Sequence, residues 1–485
     1  MMAHKNRINR RSSLKVMGSI IGATTAFGTV GSVSAIPIRN KPIRIMKSTN
    51  KMIKEIEASV WQTPLIDTHE HLLEEHERLS ANPQLVRCDD WTMVMSMYLD
   101  SDLFTAGMPK GIWDQFFSAK VDPIDKWSLL EPYWPAIKNT GYGQAVAITI
   151  KELYGVEELS KKTIKKVQQR YEETRRHGFY KRILRDLANI ESCQVNCLNR
   201  PFSETTMPTL LMQDLSIWGM HAGPNFKQFG EPTGIKIHSL SDWHRVINWW
   251  FTKYGEYATA VKSQHAYNRN IDYEKIPADK AAPILKKKIE EQTLTSKEQK
   301  ALEDHLFWFA VEKATESNLP VKLHTGYYAG HGYMPLSRLL QNPGSATDLC
   351  RMAPDTNFIF MHICYPYYEE LIAAAKHYPN AYVDMCWAWI INPIAAKDFL
   401  KKYLVTAPSN KILTFGGDYV QVETVLGHSN IARHGISLAL SELVEEGWLT
   451  LDAAMELINP IMNGNARRIF NLKEKTALLK KVHWN

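Results

Sequence analysis

Leu65-Ile66-Asp67-Thr68-His69-Glu70-His71-Leu72 places two histidines one residue apart at the end of a short apolar run. Along a β-strand, residues i and i+2 point to the same side, so His69 and His71 can present two imidazoles to one point. Imidazole suits zinc, iron, manganese and nickel. Alone, such a pair is a weak indication of a metal site, and a pair of hydrogen-bonded core histidines is the alternative interpretation.

Three further segments repeat the pattern of an apolar run that ends in a polar, ligand-type residue. They are Val321-Lys322-Leu323-His324, Phe358-Ile359-Phe360-Met361-His362 and Ile412-Leu413-Thr414-Phe415-Gly416-Gly417-Asp418. The repetition turns a weak motif into a strong one.

Strand-like runs alternate with helical patterns along most of the chain, beginning with a first strand at Pro64–Leu72. The other runs lie around Cys193–Leu198, Thr209–Met212, Thr259–Ser263, Pro320–His324, Asn357–His362, Ala381–Cys386 and Lys411–Asp418. This alternation predicts parallel βαβ units, and eight strands favour a closed α/β barrel of the (β/α)8 TIM type. Residues 78–190 carry helical patterns and predict a helical insertion after the first strand.

In such a barrel the carboxyl ends of the strands meet at one mouth, where the loops carry the chemistry. His69, His71, His324, His362 and Asp418 end their strands and are predicted to share a site. A divalent metal with three protein ligands keeps an open position for water or a substrate oxygen. Asp418 can then ligate the metal and accept a proton as general base, while a turn-forming role after two glycines is its alternative. His362 can orient substrate, stabilise negative charge or occupy a metal position.

Several motifs resemble the amidohydrolase superfamily of metal-dependent barrels. They are Val261-Lys262-Ser263-Gln264-His265-Ala266-Tyr267-Asn268-Arg269, Tyr382-Val383-Asp384-Met385-Cys386-Trp387 and the tail from Phe415 to Leu472. In detail the chain looks most like the branch that contains uronate isomerases and the amidohydrolase domains fused to glutamine-synthetase-like domains. The resemblance implies a catalytic metal held by His69, His71 and His324, with Asp418 at or beside it. It also implies one divalent metal per chain, zinc being expected and manganese, iron or nickel remaining open.

Four residues near these motifs are weighed separately. Lys262 would point into the barrel if the strand register matches, and a substrate-binding or structural role is preferred. Relatives elsewhere in the superfamily carboxylate a lysine at this strand to bridge two metals, which is the alternative. Tyr267 and Arg269 are candidates for binding a substrate carboxylate, since arginine suits bidentate recognition. Asp67 lies on the strand face of His69 and either supports the site or is an ordinary strand-end residue.

The net charge of +7 belongs mainly to the first 35 residues, which hold five basic residues and no acid. The remaining 53 basic and 51 acidic residues give no support for nucleic-acid binding. Asn9-Arg10-Arg11-Ser12-Ser13-Leu14-Lys15 resembles a twin-arginine export motif, and an apolar stretch and Val33-Ser34-Ala35 follow it. Residues 1–35 are therefore predicted to be a signal peptide read by the twin-arginine machinery. A periplasmic or extracellular protein without a stable membrane span is expected, and residues 36–485 form the barrel.

These features together predict a metal-dependent hydrolase that acts on a small polar substrate through metal-activated water and an aspartate base. An isomerase of acid sugars (uronates) and a non-oxidative decarboxylase are alternatives, since the same site could supply their chemistry. Outside the enzymes, a binding protein that keeps the metal without turnover is disfavoured by the presence of Asp418. A homo-oligomer is left open.

Overall fold

A computed structural model describes residues 49–332 and 334–484 of the chain. The predicted export segment, residues 1–35, lies outside the described residues. Among the helices that are described, none combines the length and the apolar character needed to cross a membrane.

The strands are short, parallel and buried. They are β1 Leu65–Glu70, β2 Ile190–Val195, β3 Leu211–Gln213, β4 Leu215–Ser216, β5 Val261–Ser263, β6 Val321–Leu323, β7 Phe358–Phe360, β8 Ala381–Asp384 and β9 Ile412–Leu413. They pair in the orders β1-β2-β3 and β4-β5-β6-β7-β8-β9. In a parallel sheet that helices cover, both faces of a strand are buried. Apolar strands such as β7 therefore consist of consecutive hydrophobic residues.

Backbone hydrogen bonds connect the two strand groups through Asp214, which separates β3 from β4. Its amide donates to Val195 O at 2.9 Å, while Leu215 N donates to Ala260 O at 2.9 Å. Residues 211–216 therefore act as one strand between β2 and β5. With β3 and β4 taken together, the described residues contain the eight strand positions that the sequence predicts.

Further backbone bonds join β1 to the segment that follows β9. Thr68 N donates to Phe415 O at 3.0 Å, and Asp418 N donates to His69 O at 2.9 Å. The first and last strands thus lie side by side, as a TIM-type barrel requires. The predicted α/β fold class is confirmed.

Helices occupy the connections. The first helix is α1 Thr49–Gln62. Between β1 and β2 lie α2 Glu75–Leu79, α3 Leu99–Thr105, α4 Lys110–Phe116, α5 Lys126–Leu130, α6 Trp134–Ile137, α7 Gly141–Tyr154, α8 Ile164–Thr174 and α9 Phe179–Lys181. The remaining helices are α10 Trp218–His221, α11 Leu240–Tyr254, α12 Ala278–Ile289, α13 Ser296–Glu316, α14 Asn342–Met352, α15 Tyr368–His377, α16 Ala388–Ile391, α17 Pro393–Leu404, α18 Glu423–Glu445, α19 Leu451–Asn459, α20 Asn465–Ile469 and α21 Leu472–Leu479.

The helices between β1 and β2 are anchored to the barrel through a buried arginine. The guanidinium of Arg78 donates to Glu423 of α18 at 2.7 Å and to Asp89 at 3.0 Å. Tyr171 of α8 accepts a further hydrogen bond from Arg78 at 2.7 Å. A fully buried charge needs such partners to offset its desolvation, so this network fixes the inserted helices beside the carboxyl-end loops.

Candidate metal centre

Three side chains converge where β1 ends and where the chain leaves β9. Oδ1 of Asp418 lies 3.2 Å from His69 Nε2 and 3.1 Å from His71 Nε2. The two imidazole nitrogens are 3.3 Å apart. Within the described part of the chain, this is the one group of three His, Cys, Asp or Glu side chains close enough to share a metal ion.

The two glycines before Asp418 allow the close approach of this segment to β1. A Cβ at Gly417 would lie 1.9 Å from Glu70 Oε1, and one at Gly416 would lie 2.4 Å from Cys386 Cβ. Asp418 itself has φ +63°, a left-handed conformation that aspartate tolerates better than most residues. The Gly-Gly-Asp sequence is therefore needed to place this carboxylate beside the histidines.

Backbone carbonyls set the orientation of two imidazoles. His71 Nδ1 lies 2.7 Å from Asn196 O, and His362 Nδ1 lies 3.0 Å from Cys386 O. Because a carbonyl oxygen only accepts, each Nδ1 carries the proton and each Nε2 keeps its lone pair for the site. His362 Nε2 is buried, lacks a hydrogen-bond partner among the described residues and lies 3.9 Å from Asp418 Oδ2.

His324 lies next to this group without joining it. Its ring centre is 4.5 Å from that of His362, but its Nε2 is 3.0 Å from the carbonyl oxygen of Tyr327. That contact directs the Nε2 proton away from Asp418. The metal-ligand role implied for His324 stays a prediction, since the described geometry brings together His69, His71 and Asp418.

Lys262 occupies the floor of the site. Its Nζ is 3.1 Å from His69 Nε2, and the side chain is buried. Burial lowers the pKa of this amine to about 8, although the nearby Asp418 carboxylate acts in the opposite direction. The predicted inward orientation is therefore present, and the substrate-binding role of Lys262 stays a prediction.

The two other candidates for substrate binding differ in where they lie: Tyr267 borders the site and Arg269 does not. The ring of Tyr267 is 4.4 Å from that of His324, so this residue borders the site. Arg269 does not join the cluster, because its guanidinium pairs with Asp304 at 2.7 Å and Glu303 at 3.3 Å on α13. The expected role of Arg269 as a carboxylate-binding residue is thus not supported by its position.

Asp67 supports the backbone of the site. Its Oδ1 accepts hydrogen bonds from His69 N at 3.1 Å and from Gly417 N at 3.3 Å. Burial raises the pKa of this carboxyl to about 7. Asp67 thereby connects the backbone of the histidine strand to that of the Gly-Gly-Asp segment.

Three residues beside the site were not recognised from the sequence. The Tyr98 hydroxyl donates to the backbone carbonyl of Asp418. Trp387 lies with its ring 5.3 Å from that of His362, and His428 Nδ1 is 3.2 Å from Gly417 O. Trp387 follows β8 and could have been found by its place at a strand end. Tyr98 lies in the turn before α3 and His428 lies in α18, and no local pattern in either segment points to the barrel mouth.

The donor set fits a divalent cation. Two imidazole nitrogens and one carboxylate oxygen are the ligands that zinc takes in catalytic sites. The buried, unpartnered Nε2 of His362 lies beside them as a third nitrogen and a fourth potential donor atom. A transition-metal ion would bring these lone pairs onto one centre, and the donor set alone does not select among zinc, manganese, iron and nickel.

Comparisons with known proteins support a relationship to the amidohydrolases. Residues 294–472 match the model of an amidohydrolase family. Over 174 residues the chain is 28% identical to Protein fluG of Emericella nidulans, an alignment that covers 35% of this chain and 20% of that protein. The chain thus spans about a fifth of the length of this curated relative.

Solved structures share the fold over most of the chain. Glucuronate isomerase from Caulobacter crescentus has a TM-score of 0.71 and 16% identity, covering 88% of this chain and 96% of that one. Uronate isomerase from Thermotoga maritima has a TM-score of 0.69 and 13% identity, covering 87% and 97%. A candidate metal-dependent hydrolase from Lactobacillus casei has a TM-score of 0.59 and 15% identity, covering 87% and 98%. At such identities the likeness extends to the fold and not to the activity.

Proposed function

We propose that this chain is a metal-dependent hydrolase of the amidohydrolase superfamily that acts on a small polar substrate. The observation that carries the proposal is the contact of Asp418 Oδ1 with the Nε2 atoms of His69 and His71, at 3.2 and 3.1 Å. Superfamily membership supports general metal-dependent hydrolysis, and the substrate is part of the proposal.

The site residues have separate roles in this proposal. His69, His71 and Asp418 would hold the cation, and His324 is an additional candidate. When bound, a divalent cation supplies Lewis-acid activation of a carbonyl group and of water. Asp418 accepts the proton of the attacking water at the carboxylate. His362, whose unprotonated Nε2 faces the site, accepts a hydrogen bond that orients the substrate.

The second candidate function is the isomerisation of acid sugars. It is supported by the similarity in fold to uronate and glucuronate isomerases. Proton transfer between adjacent carbons needs a group that both takes and returns a proton. Lys262, whose pKa burial lowers to about 8, could serve because such an amine exchanges protons near neutral pH. An activity screen across amides, esters, lactones and uronates separates the two functions. Turnover of uronates alone would reject the hydrolase.

Purified protein should contain about one transition metal per chain, and zinc is the expected ion. Elemental analysis after growth with zinc and manganese measures the content, and removal by a chelator should abolish turnover until metal is restored. Protein that contains no metal after such growth would contradict the proposal. A content near two per chain would instead indicate a carboxylated Lys262 that bridges two ions.

We also propose that the chain is exported by the twin-arginine route. Replacing Arg10 and Arg11 together by lysine should leave the protein in the cytoplasm, because the machinery reads the arginine pair and not the charge alone. Cell fractionation with immunoblotting measures the distribution. Lys5→Arg serves as a control that should export normally, and an unchanged exported yield from the double variant would show that another route is used.

A further inference from the structure

A small cavity lies at the carboxyl end of the barrel, between α3 and the loop that follows β6. Its volume is about 220 Å³, below the several hundred Å³ usual for drug-sized ligands, so it suits a small substrate group. Its lining residues include Tyr98, Asp102, Tyr142, Tyr327, Tyr328 and His331.

The cavity adjoins the candidate metal centre through two of its walls. The Tyr98 hydroxyl donates to the backbone carbonyl of Asp418. On the other wall, the carbonyl of Tyr327 is 3.0 Å from His324 Nε2. A substrate that reaches Asp418 from the barrel mouth would therefore place its remote part in this cavity.

Aromatic rings form much of the wall. Tyr98 stacks on Tyr142 with ring centres 5.3 Å apart and on Trp387 at 4.9 Å. Tyr328 is buried, and the guanidinium of Arg338 lies 5.4 Å from its ring centre. Aromatic faces carry negative partial charge and attract cations, most strongly where water is excluded.

Asp102 adds a carboxylate to this aromatic wall. Its Oδ2 accepts a hydrogen bond from the Thr140 hydroxyl at 2.6 Å, and the residue is half-buried. Two arginines of this region have other partners: Arg87 pairs with Asp100 at 2.8 Å, and Arg338 donates to Tyr267 O at 2.8 Å.

We propose that this cavity binds a cationic group of the substrate, an ammonium or amidinium, between the Asp102 carboxylate and the tyrosine rings. No lysine or arginine lines the cavity within the described part of the chain, and Asp102 faces it beside the imidazole of His331. The inference rests on the proposed hydrolase for the reaction it serves, and it makes acid sugars poor substrates. Asp102 is thus a specificity-determining residue.

Three probes of similar branched shape test the charge preference of the metal-loaded protein: tetramethylammonium, tert-butanol and pivalate. Tetramethylammonium cannot ligate a metal, so its binding reports the cavity. Calorimetric titration should give it at least about tenfold higher affinity than either other probe. Equal binding of the cation and the neutral probe would overturn the proposal.

Asp102→Asn tests the carboxylate itself, because the amide keeps an oxygen for the Thr140 hydroxyl and removes only the charge. It should weaken tetramethylammonium binding about tenfold and leave tert-butanol binding and metal content unchanged. Asp102→Glu should retain the preference, and the exposed Asp114→Asn on α4 is the matched control that should change nothing. Undiminished cation binding by Asp102→Asn would overturn the proposal. If that variant does not fold, the ratio of tetramethylammonium to tert-butanol affinity in the wild-type protein tests the proposal instead.

These binding measurements need no turnover. A charge preference without hydrolysis would reject only the proposed reaction, whereas hydrolysis without a charge preference would reject only the cationic substrate.

Discussion

Asp418→Asn should reduce turnover by at least about 10²-fold while the protein keeps most of its metal. The amide preserves the size of the side chain and one ligand oxygen, but it cannot accept a proton. Asparagine also tolerates the left-handed backbone that Asp418 adopts at φ +63°. The loss should therefore appear in kcat and not in folding, measured on a substrate from the activity screen together with metal content.

Two comparison variants make this result interpretable. His69→Ala should lose metal and activity together, because it removes a ligand from a buried position. Asp398→Asn changes an acid that is 43% exposed on α17 and should leave both unchanged. Near wild-type turnover by Asp418→Asn would show that Asp418 is not the base, and His362, with its unpartnered Nε2, would become the candidate.

The sequence predicts those parts of the site that depend on strand ends. An i, i+2 pair on a strand has one geometric outcome, so His69 and His71 had to meet. The parallel barrel then brings the end of its last strand beside its first, which places Asp418 at the same point, 3.1 Å from His71. The fold and the group of His69, His71 and Asp418 therefore follow from the strand patterns in the sequence and from the rule that the strand ends of a parallel barrel meet at one mouth.

Residues outside strands could not be placed in this way. Arg269 lies one turn beyond β5, and its guanidinium is held by Glu303, 34 residues along the chain. Tyr98 reaches Asp418 across 320 residues from inside the helical insertion. Such contacts depend on how helices pack over the barrel, and neither hydrophobic period nor motif spacing encodes that packing.

The sequence pattern places Lys322 on a barrel strand but does not explain why a lysine is buried there. This side chain lies at the centre of β6 and is fully buried. Its Nζ donates to Asp214 at 2.8 Å, to Thr68 O at 2.7 Å and to Gln194 at 2.5 Å. One ammonium thereby connects β1, β2 and the residue between β3 and β4, directly beneath the strand end that carries His69.

Lys322→Met should lower the free energy of unfolding by about 3–5 kcal/mol, because it leaves the Asp214 carboxylate buried without a cation. The total free energy of unfolding of a folded protein is usually about 5–15 kcal/mol, so a loss of this size is large. Urea denaturation of the metal-loaded protein measures it. The exposed Lys110→Met, which removes a surface pair with Asp114, should cost no more than about 0.5 kcal/mol.

Adding Asp214→Asn to Lys322→Met should restore a substantial part of the lost stability, because the amide carries no charge. In the wild type the Thr259 hydroxyl donates to Asp214 Oδ1 at 2.9 Å, and the oxygen of the amide can still accept this hydrogen bond. The recovery separates the cost of an unpaired charge from the cost of lost packing around the lysine stem. If the double variant were as unstable as Lys322→Met alone, packing would account for the loss. If Lys322→Met were as stable as the wild type, the ammonium would not hold these strands together.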